Sequence, residues 1–394
     1  MLGVALIVLL CVLISANTFS IGAFPVLLPE LGRSAELSDW QLGTVAGAFG
    51  FARMVSDVPA GLFITHHLGR ALLLSPLVLA AGVLCLGSGG PFAVLVLGRA
   101  LIGVAHTLGM IAGLTAILRY HAPRTLSSAL NAFEFAGMLG VLGGMVLVGA
   151  LPGRLSWNTA LILTSTPLLV GLVVLPWILT SLPASNPVPA TPLFARSATG
   201  LRVGQTAGLS PLVPLAFAAG GAIAIAWSAT AQFIVPLRGS REFGLDRIGV
   251  AQLLIIPQLS DVLVLLPLGA LSDRSRTTRV LGLSLLVLAA GTALVSFGTL
   301  PFVVVGCVLF GVGLAGWMLP LSVLRRETSP DRVAWRTALY RIGVDGGIFL
   351  GPFLSGFLEE GSIGLLPGVI AGLLVVIGLL FFRFGASSPA SLNH

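Results

Sequence analysis

Seven ionisable side chains interrupt stretches that are otherwise apolar: Arg53, Asp57, Arg99, Glu134, Asp261, Arg341 and Asp345. A charge at the centre of a membrane helix costs about 2.5–3.5 kcal/mol on insertion scales, so each needs a partner, a wet cavity or a task. Arg53 and Asp57 stand four apart, as do Arg341 and Asp345, and on a helix each pair shares a face. Each pair bridges within its own helix on one reading; on the other, the two pairs meet each other. Arg99 has no acid three or four residues away, so its partner comes from another segment or from a solute. His106 follows seven residues later on roughly the same face, as a proton relay or as a packed core histidine. Glu134 and Asp261 are acids in apolar surroundings. Two such acids facing each other would raise one pKa, as a reversible proton carrier needs; the alternative is a structural acid bonded to serine or backbone.

Other chemistry is missing from the sequence. No G-x-x-x-x-G-K-[ST] loop occurs, and the 21 basic residues are all arginine, so an ion gradient or the solute's own gradient is the expected energy source. Cys11, Cys85 and Cys307 lie singly in apolar runs and read as buried small hydrophobes. No acid cluster suited to a metal and no nucleophile with its base is present, so neither a metal, a cofactor nor an enzymatic activity is expected. A membrane-embedded enzyme and a transport-dead assembly factor are the lesser alternatives.

The elements that position these residues follow from composition. The chain has 394 residues, of which 56% are hydrophobic and 9% charged, with a mean hydropathy of +1.05. Soluble domains carry roughly 25% charge, and a membrane helix needs about 20 apolar residues in a row. Spans are predicted at 3–28, 40–64, 71–90, 91–117, 126–150 and 158–180, then at 210–236, 248–271, 279–298, 300–324, 337–358 and 363–382. The expected fold is therefore an all-α membrane protein of twelve transmembrane helices. The first run has neither a basic leader nor a small-residue cleavage site, and reads as a retained helix.

A proline-rich polar stretch divides the spans, giving six-helix bundles at 1–180 and 210–394 with a cytoplasmic linker at 181–209. With both termini cytoplasmic, thirteen arginines fall in inner loops against five in outer loops, as the positive-inside rule requires. The net charge of +7 is thus orientation, not a nucleic-acid site. A shift of roughly 208 residues lays Phe19-Ser20 on Trp227-Ser228, Pro59-Ala60-Gly61 on Pro267-Leu268-Gly269, and Gly143 on Gly351. Two parallel six-helix repeats place a solute site at mid-membrane between them.

The loop Gly269-Ala-Leu-Ser-Asp273-Arg274-Ser-Arg276-Thr-Thr-Arg279 resembles the loop signature of the major facilitator superfamily. Leu95-Val-Leu-Gly-Arg99-Ala-Leu-Ile-Gly103 is similar to that family's span-four pattern. Gly137-Met-Leu-Gly140-Val-Leu-Gly143-Gly144 is similar to the span-five pattern of its drug/proton antiporters, and Gly346-Gly347 with Gly351-Pro352 looks like the repeat partner. Two departures stand out. Thr65 occupies the place of the usual Asp in the first-half loop, and no proline follows Gly143.

The resemblance implies a monomeric bacterial inner-membrane transporter that moves a small organic solute by alternating access. Proton-coupled efflux is the first expectation and proton-coupled uptake of an organic anion the second. It implies that spans two and eleven face each other, pairing Arg53 with Asp345 and Asp57 with Arg341, and that spans five and eight bring Glu134 toward Asp261. Asn17, Arg99, His106, Trp227, Gln232 and Trp317 would line the solute pocket, and Asp273 with Arg274 would latch the inner gate.

Overall fold

The computed structural model describes residues 2–121, 126–182, 210–328, 330–359 and 365–387, and among them regular structure is helical, joined by short turns. The helices are α1 (Leu2–Ser34), α2 (Asp39–Gly87), α3 (Phe92–Tyr120), α4 (Leu126–Ala150), α5 (Trp157–Thr164) and α6 (Leu168–Ser181). After residues 183–209 come α7 (Leu212–Ala229), a π-helical turn (Thr230–Ile234), α8 (Val235–Arg241), α9 (Arg247–Arg274) and α10 (Thr277–Phe297). The chain closes with α11 (Leu300–Leu314), α12 (Leu319–Arg326), α13 (Pro330–Glu359) and α14 (Leu365–Ser387). Among the described residues, ten helical segments are long and apolar enough to cross a membrane. Most of the linker expected at 181–209 lies outside the described residues.

Four predicted spans take a different form. The second and third are one 49-residue helix, α2, bent at His67, where the backbone leaves helical geometry (φ −132°, ψ 45°). At about 1.5 Å per residue that helix measures more than twice the ~30 Å hydrocarbon thickness, long enough for two crossings. Span six breaks between α5 and α6 around Pro167, and span ten breaks between α11 and α12 just before Pro320. Proline lacks the N–H that would continue the helix. Hydropathy cannot register such breaks, because the residues on both sides stay apolar.

The repeat is visible in hydrogen bonds. Thr18 Oγ1 donates to Ile14 O at 3.1 Å and across to Gly137 O at 2.9 Å. Ser228 Oγ donates to Ala224 O at 2.8 Å and across to Gly347 O at 3.1 Å. The same fastening recurs with a shift of 210. Elsewhere the shift is 208: a Cβ on Gly103 would meet Phe49 O at 2.5 Å, and a Cβ on Gly311 would overlap Pro257 O. The single offset read from sequence therefore needs correction for spans one, five, seven and eleven. Ser228 matches Thr18 and not Ser20, and Gly347 matches Gly137. Apolar helices draw on a small residue alphabet, and a two-residue slip leaves their pattern almost unchanged.

Small residues set the helix spacing, since no hydrophobic drive separates helix from lipid. α2 and α13 run antiparallel in close contact, and α4 packs on α9. A Cβ on Gly43 would overlap Pro352 O, one on Gly47 would sit 2.7 Å from Phe349 O, and one on Gly50 2.5 Å from Phe349 N. Close packing continues to Gly346, where a Cβ would lie 3.5 Å from Met54 Sδ, and then loosens: a Cβ on Gly61 or Gly343 meets nothing within 4 Å. The two helices are thus tight at the end opposite the chain termini.

Candidate functional site

The antiparallel register of α2 and α13 sets the charged groups opposite one another. Arg53 Nη2 lies 2.7 Å from Asp345 Oδ1, and Arg341 Nε lies 3.1 Å from Asp57 Oδ2. Each helix therefore gives its arginine to the other helix's aspartate, not to its own neighbour one turn away. Exposure rises along the quartet, from 1% at the Asp345 side chain to 37% at Arg341. The quartet begins in the sealed part of the interface and ends where the helices part. Asp345 also feels the charge of Asp57, beside those of both arginines. The two arginines thus hold together two acids that would otherwise repel strongly in low dielectric.

Arg99, on α3, is 1% exposed, and its Nε and Nη1 have no hydrogen-bond partner. No carboxylate pairs with it among the described residues. The guanidinium lies instead over the Phe24 ring, 3.8 Å from its centroid, and 4.8 Å from that of Phe49. Desolvated cation–π contacts of this kind contribute about 2 kcal/mol, well short of the several kcal/mol needed to desolvate an ion. The pattern of arginine followed by glycine has a local reason. Gly103, one turn after Arg99, lets α3 reach the backbone of α2 at Phe49, which brings the aromatic face to the guanidinium.

Phe49 is the hub of this region. Arg53 lies 5.5 Å from its centroid and the His106 ring 5.6 Å, tilted. His106 Nδ1 is buried without a partner, and the ring feels the fields of Arg53, Arg341 and Arg99. Phe24 and Phe49 are absent from the sequence-derived site; the signal available was Phe49 one helical turn before Arg53.

Glu134 and Asp261 have different surroundings. Glu134 feels the charges of Arg341 and Arg53. Asp261 is 5% exposed, its Oδ1 has no hydrogen-bond partner, and it makes no ion pair among the described residues. No hydrogen bond joins the two acids.

The remaining expected pocket residues divide. Asn17 is buried within the first half, donating to Ser75 Oγ at 3.4 Å, and Ser75 Oγ donates to Ala105 O at 2.9 Å. That chain ties α1, α2 and α3 together. Gln232 sits in the π-helical turn, 5% exposed, with Oε1 unpartnered; π turns in α-helices frequently mark functional positions. Trp227 is half-buried against the core. Trp317 is 38% exposed and lies in the break between α11 and α12. Arg274 is exposed at the end of α9, and the side chain of Asp273 lies outside the described residues. In the first-half loop, Arg119 Nη2 donates to Thr65 O at 3.1 Å, so the backbone carbonyl accepts where the family has a carboxylate.

The sequence matches the Major Facilitator Superfamily over residues 8–246 and 212–393. The chain belongs to the major facilitator superfamily. It is accordingly a multi-pass membrane protein and a membrane transporter. Among curated proteins, none matches the sequence. Solved structures similar to it include a POT family transporter in complex with 5-aminolevulinic acid (TM-score 0.78, 13% identity, 97% of this chain and 96% of that one). The nucleoside transporter NupG superposes with a TM-score of 0.70 at 14% identity over 96% of this chain and 98% of that one. A bacterial homolog of the human lysosomal transporter Spinster, in an inward-facing and occupied conformation, gives 0.70 at 15% over 98% of both chains. At these identities the likeness is one of fold.

Proposed function

We propose that this superfamily member is a proton-coupled secondary transporter, and not an enzyme, that moves a small organic solute by alternating access between two six-helix halves, 1–180 and 210–394. In this reading the chain crosses the bacterial inner membrane twelve times as a monomer, with both termini and the linker in the cytoplasm. The thirteen-to-five arginine bias supports that orientation, and the bend in α2 supplies the crossing that a simple helix count would merge. The observation that supports proton coupling is Asp261, a buried acid with an unpartnered oxygen and no countercharge among the described residues. Such a group is stable when protonated and costly when ionised, so its proton is exchanged only when the helices part and water enters. Glu134, between the fields of Arg53 and Arg341, is the second titrating group.

Efflux in exchange for protons is our first reading of direction, supported by the resemblance of the span-five glycines to the pattern of drug/proton antiporters. Gly140 and Gly144 of α4 meet the α1 backbone at Ser15 O and Phe19 O with no room for a Cβ, so α1 and α4 move as one body. One observation favours uptake of an organic anion as the second reading: Arg99 is a buried cation with no carboxylate partner among the described residues, and a planar guanidinium binds carboxylate or phosphate in two-point fashion. Everted membrane vesicles test the coupling. Asp261→Asn should retain downhill exchange of a transported solute and lose accumulation driven by a pH gradient. Normal accumulation in Asp261→Asn and in Glu134→Gln would remove both acids from the mechanism.

A further inference from the structure

Two ion pairs outside the charge quartet also cross between the halves, both at the end opposite the chain termini. Arg247, the first residue of α9, donates from Nε to Glu30 Oε1 at 2.8 Å and from Nη2 to Glu30 Oε2 at 2.5 Å. The same guanidinium donates to Leu155 O at 2.6 Å and to Pro152 O at 3.4 Å, in the loop after α4. Beside it, Arg241 of α8 forks onto Asp39 at 2.7 and 3.0 Å. The Arg247 side chain is 2% exposed and Glu30 23%, so the guanidinium is enclosed while its carboxylate stays partly open.

A planar five-donor fork matches this set of four acceptors as an ammonium cannot. Such a pair adds little net stability over apolar packing; it selects one arrangement of the groups it joins. Here the partners sit on bodies that pack at one end and part at the other. The same end carries the glycine contacts between α2 and α13, and Gly149 of α4, where a Cβ would lie 2.6 Å from the Ala251 Cβ of α9. Sequence places all four charged residues in outer loops or helix ends, where parting the pairs returns them to water. A break there costs far less than one at mid-membrane.

We infer that Glu30 and Arg247, seconded by Asp39 and Arg241, form the outer latch of the transport cycle, closed in this structure and opened whenever the solute path faces outward. The inference rests on transport by alternating access and on the cytoplasmic termini, and is independent of solute and coupling ion.

Ile348 of α13, 4% exposed and touching Gly50 of α2, is the reporter position. Ile348→Cys in intact cells is labelled with a membrane-impermeant maleimide from outside, and the parent protein supplies the background from its native cysteines. Adding Glu30→Gln, or separately Arg247→Lys, should raise the labelling rate by about ten-fold or more, the effect of a buried charge losing its hydrogen-bond partner. The swap Glu30→Arg with Arg247→Glu should bring the rate part of the way back. Labelling unchanged in both single variants overturns the latch. So does loss of all these variants from the membrane, which makes the pair a folding staple. Because labelling needs no solute, failure of proton coupling would leave this result untouched.

Discussion

Exchanging the charges of Arg53 and Asp345 tests whether the quartet joins the two halves. Arg53→Asp places a carboxylate where Asp345 now meets a guanidinium at 2.7 Å, and also sets it one turn from Asp57. At an effective dielectric of about 20, a unit pair ~4 Å apart attracts by about 4 kcal/mol, and reversal repels by a similar amount. Arg53 is 16% exposed, so some of that is screened, and a loss of about 3–5 kcal/mol is expected, typical of a buried charge stripped of its partner. Adding Asp345→Arg restores the cross-interface attraction and turns the repulsion between Asp57 and Asp345 into an attraction. The penalty it adds is Arg341, one turn away on α13. The assay is a double-mutant cycle on stability of the purified protein in detergent, with expression in the membrane as control. The double variant should recover more than half of the loss. A double variant no better than Arg53→Asp alone would refute the contact across the interface.

Arg99→Ala should abolish transport with near-normal insertion, and Arg99→Lys should fail as well, because an ammonium cannot lie flat between Phe24 and Phe49; flux above half of wild type in Arg99→Lys would reduce the role to charge alone. Gly47→Val puts methyl groups where even a Cβ meets Phe349 O at 2.7 Å, so it should hold the outer interface apart and speed external labelling of Ile348→Cys; an unchanged rate would mean that this contact does not close the path. Thr18→Val and Ser228→Ala remove equivalent fastenings in the two halves, and each should cost about 1 kcal/mol; a loss in only one, measured by thermal unfolding, would break the equivalence.

The fold was legible because the bilayer demands long apolar helices and a charge bias between loops, and both are written in one dimension. Charge pairing needed more than helix pitch: the two Arg-x-x-x-Asp faces equally allow bridges within each helix, and Arg53 with Asp345 and Asp57 with Arg341 followed only from the family resemblance, which sets spans two and eleven face to face. Breaks at Pro167 and before Pro320 escaped detection, since hydropathy integrates over about 19 residues and a short interruption vanishes in the window. The π turn around Gln232 leaves no compositional mark. Phe24 and Phe49 were hidden among 21 phenylalanines, and only the close approach permitted by Gly103 shows which of them touch Arg99. Glu30 and Arg247 read as loop charges because their partners are 217 residues apart, a separation that no local pattern encodes.

Proton movement in proteoliposomes tests the central claim most directly. Vesicles containing the purified protein and a trapped pH dye are given candidate solutes, with ethidium as an amphiphilic cation and benzoate as an organic anion as the first probes. A transported solute should shift the internal pH, outward proton flow accompanying exchange with a cation or inward flow accompanying an anion. Asp261→Asn should abolish that shift while radiolabelled solute still exchanges. Solute movement that leaves the internal pH unchanged in the wild-type protein would contradict proton coupling.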